Sequence, residues 1–444
     1  MTVLTHTFPN GFRVVYEKPM NDIPITAAYV FCDIGSIHEH DGIRGASHFI
    51  EHMCFKGTSK IPDSNNIFIE YAKIGAYFNA FTVKRYTCYT IKCQDDYLQH
   101  SLDIISDMLM HSLFNKKEFE KEHKVVVQEN VNSSNEPASI IADEMDNMLY
   151  KGSSYQFPVD DLTYHTRDTL SYADVVNFYR AFYHPSNMVL SIVSHLSFET
   201  IKKMIYSTSF TKKIKIVPPL IMPNVNHGVV LQHGIEYKMV EKKGITNAHI
   251  SIGFRVCGRD SPDKYILRIL SKIMGTGFTG RLMKILREKH GLVYTAYCDT
   301  TFYEHTGDFL FNTKTEINNL LPRGKRLGVL PLLIKIINDM MRNGVTEDEI
   351  KVAKGHFKGT ALMSLEDISN QTKYNGEGLL ISQCEEKVVP YSQIYETFIE
   401  KITRKDIVEV IERYFSRKNM CVCLLSEKLP GIETIRRECE KIII

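Results

Sequence analysis

Ile25-Thr26-Ala27-Ala28-Tyr29-Val30 alternates in polarity and is rich in β-branched residues, the pattern of a β-strand. A near copy, Ile245-Thr246-Asn247-Ala248-His249-Ile250, stands 220 residues further on. A second pair of stretches, Gly75-Ala76-Tyr77-Phe78-Asn79-Ala80-Phe81 and Gly291-Leu292-Val293-Tyr294-Thr295-Ala296-Tyr297, repeats at an offset of 216. The order of predicted elements around these stretches also repeats. In each half a strand pair precedes a helix, a second helix ending at the glycine, and two further strands. An apolar-periodic helix follows, Leu98 to Leu113 in the first half and, after Pro331, Leu332 to Met341 in the second. Asn115-Lys116-Lys117-Glu118 and Thr346-Glu347-Asp348-Glu349 then read as acidic helix starts. The repetition predicts an internal duplication.

Between the halves, residues 212–228 carry Pro218, Pro219 and Pro223 and then polar asparagines, a poor substrate for helix or sheet. The expected organisation is therefore a domain over 1–211, a linker over 212–228 and a homologous domain over 229–444. Strands outnumber the helices available for parallel crossovers. The expected fold class is α+β, each domain a mixed, largely antiparallel sheet with helices on one face.

Composition excludes more than it assigns. With 43% hydrophobic and 24% charged residues, the 444-residue chain can bury a substantial core and is neither fibrous nor disordered. A net charge of +2 gives no global field for nucleic acid, and no nucleic-acid partner is expected. No apolar run approaches the ~20 residues of a membrane span, so no membrane partner is expected either. The ten cysteines form no C-x-x-C pair and read as reduced, buried thiols. Met1 to Met20 has neither the apolar core of a signal peptide nor an Arg-rich amphipathic stretch, which suggests a cytoplasmic location unless an internal signal directs import into an organelle.

The chemistry lies in Gly45-Ala46-Ser47-His48-Phe49-Ile50-Glu51-His52-Met53-Cys54-Phe55-Lys56-Gly57-Thr58. On a helix, His48 and His52 fall at i and i+4 on one face, where two imidazoles can share a metal. Glu51 then lies beside the open coordination position and can take a proton from water. This is the inverted zinc-peptidase order, H-x-x-E-H. A third ligand is required. The helix from Lys117 to Asn130 offers Glu122 and Glu129, seven apart and thus on one face; spacing alone does not choose between them.

These residues resemble the pitrilysin superfamily of zinc metallopeptidases, the inverzincins, and within it the mitochondrial processing peptidase β subunit and one-chain bacterial relatives. The resemblance covers nearly the whole chain. It rests on Gly35-Ser36 and Glu39, on the H-x-x-E-H segment, on Asn79-Ala80-Phe81-Thr82, on Glu122 with Val126-Val127-Gln128-Glu129, and on Arg281-Leu282, Leu286-Arg287-Glu288 and Gly291-Leu292-Val293-Tyr294. It implies His48, His52 and Glu129 as ligands of one zinc ion per chain, Glu51 as general base, and Glu122 as the acid that orients a ligand from behind. Arg287 and Tyr294 would act on the scissile peptide from the second domain, the other wall of a cavity. Asn79, Ala80, Phe81 and Thr82 would form the sheet edge that takes the substrate as an added strand.

The implied activity is that of a zinc metalloendopeptidase cleaving unfolded polypeptides or peptides, presequence-like ones included, inside an enclosed chamber. One chain would supply half of that chamber, implying a homodimer or a heterodimer with a related subunit. The competing reading is a non-catalytic structural or assembly subunit of the same fold. It is disfavoured because His48, Glu51, His52 and Glu129 are all present. Departures bear on specificity. Val83-Lys84-Arg85 stands where relatives continue with Ser-Arg-Glu, Ser139 and Asp143 stand where the β subunit has two acids, and Gly275 to Gly280 is too short for the glycine-rich loop of an α subunit. At an offset of 220 the second half has Arg268, Ser271 and Lys272 against His48, Glu51 and His52, so only the first half can bind the metal.

Overall fold

The computed structural model describes residues 2–160, 170–213, 225–382 and 388–442. Most of the expected linker, 214–224, lies outside the described residues. Short 3-10 turns aside, the first half runs β1 (Leu4–Thr7), β2 (Arg13–Glu17), β3 (Ile25–Cys32), α1 (Ala46–Cys54), α2 (Ser64–Lys73), β4 (Tyr77–Thr82), β5 (Thr87–Gln94), α3 (Leu98–Met110), α4 (Lys116–Ser133), α5 (Pro137–Leu149), α6 (Tyr172–Phe182), β6 (Met188–Val193) and α7 (Phe198–Ser207). The second runs β7 (Glu236–Glu241), β8 (Asn247–Cys257), α8 (Asp263–Gly275), a π-helix (Met283–Lys289), β9 (Ala296–Phe302), β10 (Thr306–Glu316), α9 (Val329–Asn343), α10 (Glu347–Ser364), α11 (Ile368–Ser382), a second π-helix (Tyr395–Ile399), α12 (Arg404–Tyr414), β11 (Met420–Ser426) and α13 (Ile432–Cys439). No helix among the described residues is long and apolar enough to cross a membrane.

The duplication is written in the sheet topology. The first sheet has the order β1-β2-β6-β3-β5-β4 and the second β7-β11-β8-β10-β9. Each has a single parallel pair, β2 with β6 and β7 with β11, and is otherwise antiparallel. Among the described residues only β1 lacks a counterpart. Gly75 and Gly291, the paired glycines, share a φ of +60°, the left-handed conformation that ends the helical segment before β4 and before β9.

Two compact units form, and they interleave along the chain. The first comprises Met1–Asn132, Phe157–Val225 and Ala361–Ile394; the second comprises Ser133–Gln156, Asn226–Thr360 and Tyr395–Ile444. Each half therefore gives away its helix after the long charged one: α5 belongs to the second unit and α11 to the first. In the first sheet, Val14, Val30, Ile91 and Leu190 face the helical layer of Phe49, Leu102, Val175 and Ile201. The opposite face, with Val15, Tyr29, Phe31 and Val193, is covered by Ile368, Leu379 and Leu380 of α11. Asn375 donates to buried Glu17 at 2.8 Å, and Arg13 to the Leu379 carbonyl at 3.3 Å.

In the second unit, Arg255 of β8 donates to the Leu149 carbonyl at 2.8 Å, Lys238 pairs with Glu144 at 3.1 Å, and Tyr150 donates to Asp308 at 2.6 Å. The exchange explains where the structure goes beyond the sequence expectation. The sequence places helices on one face, and the main layer is there. The second face is buried as well, by a helix drawn from the other half, which is why every residue of β3 after Ile25 is buried. A division at 212–228 follows the repeat, whereas the compact units do not.

Candidate metal centre and active site

Glu39 and Gly45 set α1, the helix of the H-x-x-E-H segment, in place. Gly45 takes φ +82° at the N-terminus of α1, where a side chain would be strained. The Glu39 carboxylate accepts the Gly45 and Ser47 amides, each at 2.7 Å, filling two of the donors that a helix start leaves unpaired. Burial pushes Glu39 up to about 7 in spite of those bonds. The apolar face of α1 enters the core, and Phe49 meets Phe119 of α4 with ring centroids 4.7 Å apart. That contact registers the two helices. Phe119, Glu122, Val126 and Asn130 form the buried stripe of α4.

His52 bridges two acids of α4, Glu122 and Glu129. Its Nδ1 donates to Glu122 Oε1 at 2.9 Å, and its Nε2 lies 3.4 Å from Glu129 Oε2. Seven residues span about 10 Å of helix, so one imidazole between them selects which acid serves which nitrogen. Lys56 closes the back of the cluster through Glu122 Oε2 at 2.7 Å. His48 Nε2 lies 3.2 Å from His52 Nε2, the rings at 89°. His48, His52 and Glu129 each present a donor atom within 4.8 Å of the others; Glu122, engaged by Nδ1, is outside that set.

The donor set fits a tetrahedral zinc ion. Ligands at about 2.0–2.1 Å from such an ion are themselves about 3.3 Å apart, close to the two separations at His52 Nε2. Burial, then His52, pushes His48 down to about 4, so it is a neutral imidazole. Burial disfavours charge on His52, but its hydrogen bond to Glu122 and the fields of Glu129 and Glu51 raise its proton affinity. Burial raises Glu122, but hydrogen bonds from His52 and Lys56 outweigh it and hold the carboxyl below its usual range. Glu51, Glu122 and Glu129 bring three carboxyl groups against one ammonium, an excess of acidic groups in a half-buried pocket that suits a divalent cation.

Glu51 is 8% exposed and accepts the Thr82 hydroxyl at 2.5 Å. Burial raises its proton affinity against the lowering by Thr82 and His52. Thr82 ends β4, the edge strand of the first sheet. Asn79 and Ala80 of that strand line a cavity of about 400 Å³ with Glu51, His52, Lys56, Glu122 and the rings of Phe55, Phe68 and Phe78. The edge is not bare, because Asn79 Oδ1 accepts the Ala80 amide at 2.9 Å. Phe81 turns to the opposite face, with Lys373 of α11 5.0 Å from its ring. Lys84 donates to the Phe157 carbonyl at 2.7 Å and Arg85 pairs with Asp33 at 2.9 Å, so both bases next to the edge are tied to the scaffold.

Arg287 and Tyr294 are together in the second unit: Arg287 Nη1 donates to the Tyr294 carbonyl at 3.0 Å and its guanidinium lies 5.1 Å from the Tyr294 ring. The Tyr294 side chain is 73% exposed. Lys56, Phe55, Phe68 and Phe78 were not anticipated. Lys56 could have been, since it follows His52 by four on the motif's own face; the phenylalanines are brought together only by the tertiary fold.

The model of the insulinase family, peptidase family M16, matches residues 13–159, and that of the peptidase M16 inactive domain matches 169–356. The chain belongs to this family, within the pitrilysin superfamily. It is 29% identical over 377 residues to a protein of Bacillus subtilis (strain 168) named uncharacterized zinc protease YmxG, covering 85% of this chain and 88% of that one. Among solved structures, a protease from Helicobacter pylori superposes with a TM-score of 0.86 at 20% identity, over 96% of this chain and 99% of that one. A peptidase M16 inactive domain from Pseudomonas fluorescens gives 0.81 at 19%, over 97% and 100%.

Proposed function

We propose that the protein is a zinc-dependent metalloendopeptidase acting on peptides or unfolded polypeptides. One observation carries this reading: the three donors His48, His52 and Glu129 converge beside a buried carboxylate, Glu51, that is bonded to the end of an edge strand. A zinc ion held by those three residues supplies Lewis acidity toward the scissile carbonyl. Glu51 takes the proton of the attacking water and delivers it to the leaving amine, a task suited to a carboxyl of raised proton affinity. Glu122 keeps the His52 ring in the tautomer that presents Nε2.

An extended peptide pairs along β4, displacing the Asn79 amide from Ala80, and a side chain next to the scissile bond enters the pocket of Phe55, Phe68 and Phe78. Specificity then favours an apolar or aromatic residue there. Arg287 is assigned to the substrate backbone and Tyr294 to the oxyanion; their mutual contact and the exposure of Tyr294 support this, together with the motif they share with the family. The same resemblance extends the reading to a chamber completed by a second subunit, a copy of this chain first. The competing reading, a non-catalytic assembly subunit, draws on the inactive-domain match, but that match covers the half without His48, Glu51, His52 and Glu129.

The test is cleavage of a quenched peptide library by purified full-length protein of known zinc content, with and without chelator. Turnover that disappears on chelation and returns with zinc supports the reading. Zinc-loaded protein that cleaves nothing, even as the isolated native complex, sinks it.

A further inference from the structure

We infer that His227, Glu304 and His305, all in the second unit, form a second metal site of the zinc type, separate from the donors of α1 and α4. Their ligand atoms lie within 4.8 Å of one another. The two imidazoles repeat the arrangement of the first site: His227 and His305 have ring centroids 4.5 Å apart at 89°, against 4.7 Å and 89° for His48 and His52. The orienting contact repeats too. Tyr155 Oη is 3.0 Å from His227 Nδ1, as Glu122 is from His52 Nδ1 at 2.9 Å, so a metal would take Nε2.

The backbone holds these donors in place. Glu304 and His305 occupy the tip of the hairpin joining β9 to β10, closed by the Tyr303 amide on the Thr306 carbonyl at 2.8 Å. The tip sits directly on Gly258, where a Cβ would come within 2.4 Å of the Glu304 carbonyl oxygen. Arg259 N–H donates to the Tyr303 carbonyl at 2.7 Å. On the other side, Asn226 anchors the residue before His227: its carbonyl accepts the Ser154 amide at 2.8 Å and its side chain donates to the Gly152 carbonyl at 2.6 Å. Tyr155, 1% exposed, is stacked on Tyr303 at 4.6 Å, tying the orienting hydroxyl to the hairpin itself.

Two imidazoles and one carboxylate select a borderline cation, zinc or its cobalt and nickel mimics, over calcium or magnesium, which demand oxygen. Tetrahedral coordination needs the donors about 3.3 Å apart. The closing movement falls to His305, whose side chain is 57% exposed and able to turn, while Glu304 is 34% exposed. The metal would staple the segment entering the second sheet to the β9–β10 hairpin, and the chain would hold two ions instead of one.

The experiment is zinc titration of chelator-stripped full-length protein, read as bound equivalents and as Tm, in wild type, His305→Ala, His48→Ala and the double variant. The expected result is two equivalents in wild type, one in each single variant and none in the double, with zinc raising the Tm of His48→Ala but not of the double. Tyr155→Phe in the His48→Ala background should weaken the remaining site about 10-fold. Equal zinc uptake and equal Tm response in His48→Ala and the double variant would overturn the inference, as would His48→Ala protein that takes up no zinc. Because the readout is binding in a protein lacking His48, it is independent of whether the first site cleaves peptides.

Discussion

The helices α1 and α8 occupy the same place in two copies of one fold, and only α1 carries a pair of histidines at metal-ligand spacing. Where α1 carries His48, Glu51 and His52, α8 carries Arg268, Ser271 and Lys272, and Arg268 lies against the rings of Tyr265 and Phe302. The second helix of each pair diverges in step. When the starts of α4 and α10 are aligned, Ala353 and Thr360 of α10 replace Glu122 and Glu129. Strand order and the single parallel pair survive all of these changes. The scaffold depends on the apolar faces of its elements, and the chemistry on a few polar side chains that the core does not require.

The sharpest way to test that separation is Glu51→Gln. It should lower kcat about 10²–10⁴-fold while zinc content and Tm stay at wild-type values. Metal-loaded variant protein that cleaves peptides at the wild-type rate would place the base elsewhere. Tyr294→Phe tests whether the half that lacks the H-x-x-E-H helix contributes to the reaction. A loss of about 10²-fold in kcat with little change in KM is expected, and an unchanged kcat would make that half a scaffold only.

The exchanged helices allow a comparison in stability. A Cβ on Gly376 of α11 would lie 2.0 Å from the Phe31 ring, while one on Gly253 of β8 would meet the flexible ends of Met145 and Leu310 at 2.4 and 2.7 Å. Gly376→Ala should therefore cost about 1–3 kcal/mol, and Gly253→Ala clearly less, by denaturant melts. Equal costs would mean that the first sheet yields as readily as the second.

The smallest effect concerns Asp308, which burial, more than any neighbour, pushes up to about 7. Its native form binds a proton more tightly than an unfolded Asp near 3.9, so it contributes stability below about pH 4 and loses it as pH rises through 7. Asp308→Asn should gain on wild type steadily as pH rises from 4 to 8, read from denaturant melts at each pH. A parallel pair of stability curves would show the carboxyl to be paired better than its surroundings suggest.

The candidate donor pair His48 and His52 was legible in the sequence because i, i+4 spacing is a property of one helix, and the repeated strand pattern because strand patterns are local. Between Glu122 and Glu129 the spacing was neutral; the choice comes from the His52 ring, which only the packing of Phe49 on Phe119 places. Helix ends shifted where single residues intervene. Pro331 lies in the first turn of α9, where its missing N–H costs nothing, so that helix begins at Val329 and not after the proline. The α3 helix stops at Met110, short of Leu113, as Ser112 forms a bridge with Thr58. The exchange of α5 and α11 left no mark, since an amphipathic stripe says that a face is covered and not by which sheet.

That exchange governs the order in which the protein can be made. A ribosome releases β6 long before α11, so through most of synthesis the first sheet has one face open to water, with Phe31 and Tyr29 waiting for Leu379 and Leu380. Meanwhile α5 has been made before any strand of the sheet it covers. Neither half can finish folding as the nascent chain emerges, and the polypeptide becomes native only once nearly all of it is free.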